Sequence, residues 1–458
     1  MKTIFITILQ AVVVKNILRT GTLREILKNP KIQAVCVTRN QERADYYKKE
    51  LPHERTTYDI FYNSPKGTTE KIFSFLKLHT IVTKTTDLLR KMHRHDAGNW
   101  LEYFLGIIFN RIVSLKPIRK IIRFFDYHLI KDLSAIQILE KYNPDVVFIT
   151  NAFDDVETSI LREAKKKNIL TIGFINSWDR LTSRWAIRIR PDYLIVYSEE
   201  MKQDAIDHLD MPSEKIFLAG VSQYDHYINV KPIPKNEYFK KHDLDPTKHL
   251  ILVAPEGGSL SDNSWGIIDL LDLIINQQKL VPNAQMLVRF KPNDFIQEKE
   301  KEEFRKRPWL KYDLPGIRYG SVRGGDWDMT EKDLLHLKDS LAYSSVLVGY
   351  ASSISIDAAI MDLPIININF ETNSPKKLVK SPTYYYKTEH YGRVLRSGGI
   401  RLVHNKNELV YWMNKYIENP DIDREKRKKI VQEHCWKADG KSSERISNII
   451  LKLLHQPS

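Results

Sequence analysis

The sequence predicts an α/β protein made of two doubly wound domains, and three observations carry that reading. Short apolar runs alternate with helical stretches along most of the chain. The runs are continuously apolar rather than alternating, as strands of a parallel sheet are when helices cover both faces. The rhythm stops in a charged stretch with three prolines near 228–249 and then restarts, so each half builds a sheet of its own.

The expected strands of the first half are 4–8, 34–37, 146–150, 170–175, 193–196 and 216–219, and those of the second are 250–254, 285–290, 345–349, 365–368 and 399–403. The expected domains are 1–230 and 249–420, joined by a linker at 231–248 and followed by closing helices at 421–458. The opening MKTIFITILQAVVV reads as a buried first strand running into a helix. A signal peptide is the weaker reading, because one basic residue precedes the apolar run and Lys15-Asn16 stand where small cleavage-site residues belong.

The 458 residues carry 71 Lys and Arg against 57 Asp and Glu, a net charge of +14. Such an excess points to an anionic partner: nucleic acid, lipid headgroups or phosphorylated substrates. Two cysteines, Cys36 and Cys435, exclude a disulfide framework and a cysteine-rich metal site. No apolar run reaches the roughly 20 residues that span a bilayer. The GxGxxG, P-loop, HExxH and GxSxG signatures are missing. Half of the charge excess falls in a mostly helical insertion at 66–132, with thirteen Lys and Arg against six Asp and Glu. There Ile118, Ile121, Ile122, Phe125 and Leu129 share one helical face, while Arg119, Lys120, Arg123 and Asp126 fall on others. Either that apolar face packs on its own domain, or the segment is a basic amphipathic surface that touches an anionic membrane.

Three segments place chemistry at strand ends. In 347–370 a strand ends at Gly349, a turn of small residues follows, and a short helix opens at Ser352-Ser353 with Ser355 and Asp357 beyond. Ligands of open α/β sheets bind at the carboxyl ends of strands. A helix start there offers N–H groups to a diphosphate, and Asp357 stands where a carboxylate can accept from ribose hydroxyls. The alternative is an ordinary capped helix with a solvated Asp. LVRFKPND puts Arg289 and Lys291 at a strand end of the same domain, where cations neutralise a departing diphosphate without a metal; plain surface cations are the alternative. GFINSWDRLTSR puts Trp178 and Asp179 beyond a strand of the first domain, where a carboxylate can take a proton from an acceptor hydroxyl.

In this order the segments resemble GT-B nucleotide-sugar glycosyltransferases of bacterial surface polysaccharides, and are similar to CDP-glycerol glycerophosphotransferases and UDP-GlcNAc 2-epimerases. KNILRTGTLREIL resembles a helix opening of that group, and NSWDRLTSR its SWDNLTSKG. VGYASSISIDAAIMDLPII resembles its VGxxTSxxIEAAxxxKPVI, and DGKSSERISNII its closing DGxAxxR. AGVSQYDHY and TEHYGRVLRSGGIRLVHNKNEL also find counterparts. Lys291 stands where the group has His, and Asp357 where it has Glu.

The resemblance implies a GT-B fold, two Rossmann-like domains facing a cleft, with the helical insertion in the first. It implies an acceptor-binding first domain, with Asn16, Trp178 and Arg184 on the acceptor and Asp179, or in reserve Asp155, as base. It implies a donor-binding second domain, using Arg289, Lys291, Ser352, Ser353, Ser355, Asp357 and His390. The expected reaction moves a sugar from a nucleotide-sugar to a surface glycan or lipid-linked acceptor, with no metal, cofactor or nucleic acid. Such an enzyme is expected in the cytoplasm, peripheral on the inner face of the membrane if the basic segment touches lipid. Transfer of an alditol phosphate from a CDP-linked donor is the alternative on the same fold, and a basic nucleic-acid-binding protein the alternative from another class.

Overall fold

The computed structural model describes residues 1–62, 66–183, 186–257, 261, 265–277, 279–280, 284–294, 296–318, 327–372 and 374–455. The chain forms two compact units. The first comprises Met1–Asp87, Asn99–Asp225 and Lys441–Ser458, and the second Leu88–Gly98 and His226–Gly440.

In the first unit the strands are β1 (Lys2–Thr7), β2 (Ile32–Thr38), β3 (Thr56–Ile60), β4 (Val146–Ile149), β5 (Leu170–Phe174), β6 (Tyr193–Val196) and β7 (Ile216–Leu218). They form a parallel sheet in the order β3-β2-β1-β4-β5-β6-β7. The strand order reverses between β1 and β4, where Ile4 pairs with Val146 and Ile6 with Phe148. Ile4, Phe5, Ile6, Val146, Val147 and Phe148 have no exposed surface, because helices cover both faces. The last helix, Ser442–Leu454, belongs to this unit: Asp225 accepts the N–H groups of Ser442 at 2.9 Å and Ser443 at 2.7 Å.

The second unit holds β8 (His249–Val253), β9 (Ala284–Arg289), β10 (Lys311–Asp313), the short antiparallel pair β11 (Ile317–Arg318) and β12 (Trp327–Asp328), then β13 (Ser344–Gly349), β14 (Ile365–Ile368) and β15 (Arg401–Val403). Its parallel sheet runs β10-β9-β8-β13-β14-β15, with the order reversing between β8 and β13. Ile251, Val253, Val288, Val346, Val348 and Ile366 form the heart of its core. All eleven expected strands are present, so the α/β class with two parallel sheets stands. The missed strands carry charge or lie at edges: β3 is TTYDI and β10 is KYD, each the outermost strand of its sheet.

The 66–132 segment forms the helices Thr68–Lys77, Lys84–Ala97, Trp100–Val113 and Lys116–Leu129. Most of the second of these, from Leu88 on, groups with the other unit together with Gly98. The Lys116–Leu129 helix reverses the usual amphipathic rule. Its inward face is Arg119, Arg123 and Asp126, spaced as one helical stripe. Arg119 and Arg123 both reach Asp210, at 2.6 and 2.7 Å. Asp126, 1% exposed, accepts from Arg162 at 2.7 Å and from Arg188 at 2.7 and 3.0 Å. Arg188 also reaches Glu70 at 2.5 Å and Asp155 at 3.3 Å. Ile121, Phe125 and Leu129 instead face outward, 54%, 47% and 62% exposed. Packing of that stripe on its own domain is therefore ruled out for these three residues.

The neighbouring Trp100–Val113 helix follows the same rule. It buries Asn110, whose side chain donates to the carbonyls of His79 at 2.6 Å and Ile81 at 2.9 Å. It exposes Trp100, Leu101, Phe104, Leu105 and Ile108. Among the described residues, 15 of the 20 exposed large apolar side chains lie between Ile72 and Leu133, far more than scattered surface hydrophobics explain.

Replacing Asp126 with Asn keeps its shape and removes its charge, leaving Arg162 and Arg188 buried with one carboxylate fewer. The expected loss is about 3–5 kcal/mol of unfolding free energy, read by chemical denaturation. A loss below about 1 kcal/mol would mean that water or Glu70 compensates both guanidinium groups.

Candidate active site

Open α/β sheets bind ligands beyond the carboxyl ends of their strands, at the point where strand order reverses. In the first unit that point is β1/β4. Thr7 ends β1, and its hydroxyl donates to Glu157 Oε2 at 2.5 Å. The Asn151 N–H donates to the same oxygen at 2.9 Å. Glu157 is fully buried, yet its Oε1 and the Asn151 Oδ1 find no partner among the described residues. Burial first, and the nearby Asp154 charge second, push the Glu157 carboxyl up to about 8.

Polar groups continue along this edge. Asn16 lies in a π-helical turn, Lys15–Arg19, a distortion that recurs at functional sites. Its side-chain N–H donates to the Asn176 carbonyl at 3.1 Å and the Tyr197 hydroxyl at 3.2 Å. Among the described residues, Asn16 Oδ1 and both polar atoms of the Asn176 side chain are buried without a partner. Buried amides are normally satisfied, so a row of orphans at the carboxyl edge marks a place for a polar ligand. Trp178 and Asp179 follow Asn176 and are half-buried, with the Ser177 hydroxyl donating to Asp179 at 2.5 Å. Arg184 lies outside the described residues.

Asp155 sits apart from this row, in an ion cluster. Lys77 reaches it at 2.6 Å, Lys66 at 2.9 Å and the Ser74 hydroxyl at 2.5 Å. Burial alone would raise its carboxyl, but the charge of Lys77 and the hydrogen bonds outweigh that and hold it well below the usual carboxylate range.

In the second unit the reversal lies between β8 and β13. Beyond β8, Glu256 is 2% exposed and accepts from Lys291 at 3.0 Å, while its Oε1 has no partner among the described residues. Burial pushes this carboxyl up against the opposing pull of Lys291. The next residue, Gly257, has φ +73°, and a Cβ there would stand 2.4 Å from an Asp294 oxygen, so only glycine fits. Beyond β13, Ser353 is exposed at the start of the seven-residue helix Ile354–Ile360, and Ser355 is buried. The Ser355 hydroxyl meets the Tyr391 hydroxyl at 2.8 Å, and Tyr391 also accepts from Asn367 at the end of β14. Tyr391 thereby ties the helix Glu389–Arg396 to the helix that follows β13 and to the end of β14. His390 precedes it, 3.4 Å from the Thr388 hydroxyl.

Of the proposed donor residues, the structure gathers Lys291, Ser352, Ser353, Ser355 and His390 around the carboxyl edge of this sheet. Two others point elsewhere. Arg289 is 5% exposed and ion-paired with Asp313 on β10, which also takes His336 at 2.8 Å. Asp357 is 2% exposed and accepts from the Tyr227 hydroxyl at 2.6 Å, so its carboxylate serves an interior contact rather than an open pocket. Sequence reasoning missed Glu157, Asn176, Glu256, Asn367 and Tyr391. A signal existed for Glu157: Asp154 and Glu157 have capping-box spacing. Asp154 does cap the helix, accepting from Val156 at 2.8 Å. Glu157 turns inward instead.

Two doubly wound parallel sheets with polar side chains gathered at their carboxyl edges give the GT-B-like fold. The family model for CDP-glycerol:poly(glycerophosphate) glycerophosphotransferase matches residues 163–452, and the chain belongs to that family. Solved structures with the same fold include a UDP-N-acetylglucosamine 2-epimerase from Listeria monocytogenes, described as putative in its own report, with TM-score 0.56, 11% identity and coverage of 100% of this chain and 99% of the other. The UDP-GlcNAc 2-epimerase of Neisseria meningitidis bound to UDP-GlcNAc gives 0.56 at 13% identity, covering 99% and 100%. The wall teichoic acid polymerase TagF with CDPG gives 0.51 at 12% identity, covering 99% of this chain and 88% of that one. No curated protein matches the sequence.

The raised Glu157 carboxyl makes a pH prediction. Its ordinary value is 4.5 and its folded value about 8. Between those limits the folded chain keeps a proton that the unfolded chain has lost, so this group's contribution to stability is full below pH 4.5 and declines as pH rises to 8. Glu157→Gln, always neutral, removes that slope. Unfolding midpoints from pH 5 to 9 should show wild type losing stability relative to the variant up to pH 8 and running parallel above it. Parallel curves throughout would mean that Glu157 is charged in the folded state.

Proposed function

We propose that the chain transfers a glycerophosphate-type group from a CDP-linked donor, held by the second unit, to a hydroxyl of a cell-surface polymer, held by the first. The observation that carries this reading is the family match over 163–452, which spans Asp179 and every donor candidate from Arg289 to His390. The row of unsatisfied amides beside Asp179 supports a hydroxyl-bearing acceptor there. Asp179 is the preferred base over Asp155, because three cations already hold Asp155 ionised, and a strongly acidic carboxyl is a weak proton acceptor.

In this reaction the acceptor oxygen attacks the phosphorus that carries the glycerol. A new O–P bond forms, the bond from that phosphorus to the bridging oxygen breaks, CMP departs, and the hydroxyl proton passes to Asp179. Lys291 and the Ser352–Ser353 turn stabilise the departing phosphate, with His390 at the rim. A second reading, transfer of a hexosyl group from a nucleotide-sugar, is favoured by the epimerase neighbour that binds UDP-GlcNAc. It differs in the bond broken: attack falls on the anomeric carbon and a nucleoside diphosphate leaves. On either reading the outward apolar faces of the helical segment, with its +7 charge, rest on an anionic membrane where a polymer acceptor is anchored. Among the described residues no helix is long and apolar enough to cross it.

The leaving group decides between the readings. With a lipid-linked primer, acceptor-dependent release of CMP from CDP-glycerol is expected. Release of UDP from UDP-GlcNAc instead would give the reaction to hexosyl transfer, and no release from either donor would overturn both. Asp179→Asn should lower turnover by roughly 10²-fold or more while donor affinity stays. An active Asn variant would remove Asp179 from the proton path.

A further inference from the structure

A cavity of about 380 Å³ lies in the first unit between the Lys116–Leu129 helix and the segments that lead into β6 and β7. Those segments are at the amino ends of the strands, the edge opposite Asn176, Asp179 and the rest of the candidate active site. Six cations line the cavity: Lys120, Arg123, Lys165, Arg188, Arg190 and Lys215. Among the described residues, the only carboxylate in its lining is Asp192, which is paired with Lys165. Arg123 is held by Asp210, and Arg188 by Asp126 and Glu70.

Three cations remain uncompensated among the described residues. The Arg190 guanidinium donates to a neutral carbonyl, that of Asp210, at 2.6 Å. Lys215 lies 5.9 Å from the Tyr193 ring. Lys120 is exposed on the helix itself. A surplus of positive charge around a concave site, with a planar guanidinium among the donors, is what a phosphate monoester or diester needs.

The position of the cavity names the source of that phosphate. Lys120, Arg123, Phe124, Tyr127 and His128 of the one helix line it, and Phe124, 58% exposed, is also part of the outward apolar face. Aliphatic and aromatic side chains at one level and cations set just behind them match the layering of a leaflet, acyl chains below and headgroup phosphates above. We propose that the cavity receives the phosphate of an anionic phospholipid while the apolar faces of the Trp100–Val113 and Lys116–Leu129 helices enter the same leaflet. The inference rests on the membrane-docking reading and adds a defined headgroup site to it, outside the active site.

Flotation of the full chain with vesicles separates the two. The vesicles are phosphatidylcholine alone or phosphatidylcholine with phosphatidylglycerol. Three variants are compared with wild type: a cavity variant, Lys120→Gln/Arg190→Gln/Lys215→Gln; a face variant, Leu105→Ser/Phe125→Ser; and a control that removes three remote exposed charges, Lys48→Gln/Lys49→Gln/Lys332→Gln. Thermal unfolding checks that each is folded. The cavity variant should lose about tenfold or more of its affinity for the anionic vesicles, keep its residual affinity for neutral ones, and differ clearly from the control. The face variant should lose binding to both. If the cavity and control variants behave alike, the headgroup site is wrong while docking stands. If wild type floats with neither vesicle, or the apolar face instead drives self-association at equal affinity with and without lipid, the docking reading falls and the headgroup site with it. Displacement of wild type from anionic vesicles by millimolar inorganic phosphate, at constant ionic strength, would reassign the cavity to a soluble phosphate.

Discussion

Asp126 holds two arginines in the interior of the first unit, and the position of the whole helical segment follows from that contact. A buried carboxylate between Arg162 and Arg188 is tolerable only with its hydrogen bonds complete, and Arg188 completes them by binding it through two nitrogens. This fixes the rotation of the Lys116–Leu129 helix about its axis. With Arg119, Arg123 and Asp126 turned inward, a helix has no choice but to present Ile121, Phe124, Phe125 and Leu129 outward. The exposed apolar surface is therefore a consequence of the ion pairs. Exposing so many large apolar side chains to water is unfavourable at about 25 cal/mol per Å² of apolar surface, which makes a non-aqueous environment the state in which both faces are satisfied.

The same separation of roles runs through the two sheets. In each, the strand order reverses once, and the residues just beyond the reversal are polar and buried: Thr7, Asn151 and Glu157 in the first unit, and Glu256 in the second, paired with the half-buried Lys291 beyond the neighbouring β9. The amino-terminal edge of the first sheet carries the cationic cavity instead. On the proposed reading, sheet direction sorts chemistry to one edge and surface attachment to the other within a single unit.

The fold was largely legible because buried parallel strands are continuous apolar runs. Eleven of them could be read directly, whereas TTYDI and KYD could not, since an edge strand is partly solvated and carries charge. Site residues were harder. Lys291 and Arg289 look equivalent in LVRFKPND, but the nearby acid of β10 takes Arg289 and that of the β8 loop leaves Lys291 at the carboxyl edge. Asp357 has a ribose-binding position by spacing, and Tyr227, distant in sequence, claims it. Which of the two readings of the helical segment holds could not be seen for the same reason: Asp126 pairs with Arg162 and Arg188, 36 and 62 residues away, and turns the charged stripe inward. No local periodicity reveals such a partner.

Glu256 bears on the proposed donor site. A carboxylate facing a bound phosphate would repel it, and Glu256 stands beside Lys291 at the very edge where the donor is proposed to lie. Burial disfavours the charged form of Glu256. Pairing with Lys291 favours it but yields a neutral pair rather than a free anion. In either protonation state the pair adds no net negative charge to the pocket, and a neutral Glu256 leaves the full charge of Lys291 for the donor. An arriving phosphate strengthens the same choice: drawing Lys291 toward itself, it leaves Glu256 with burial and no partner, and so favours the protonated acid. On the proposed reading, an anionic donor at this edge then meets an acid that adds no net negative charge of its own.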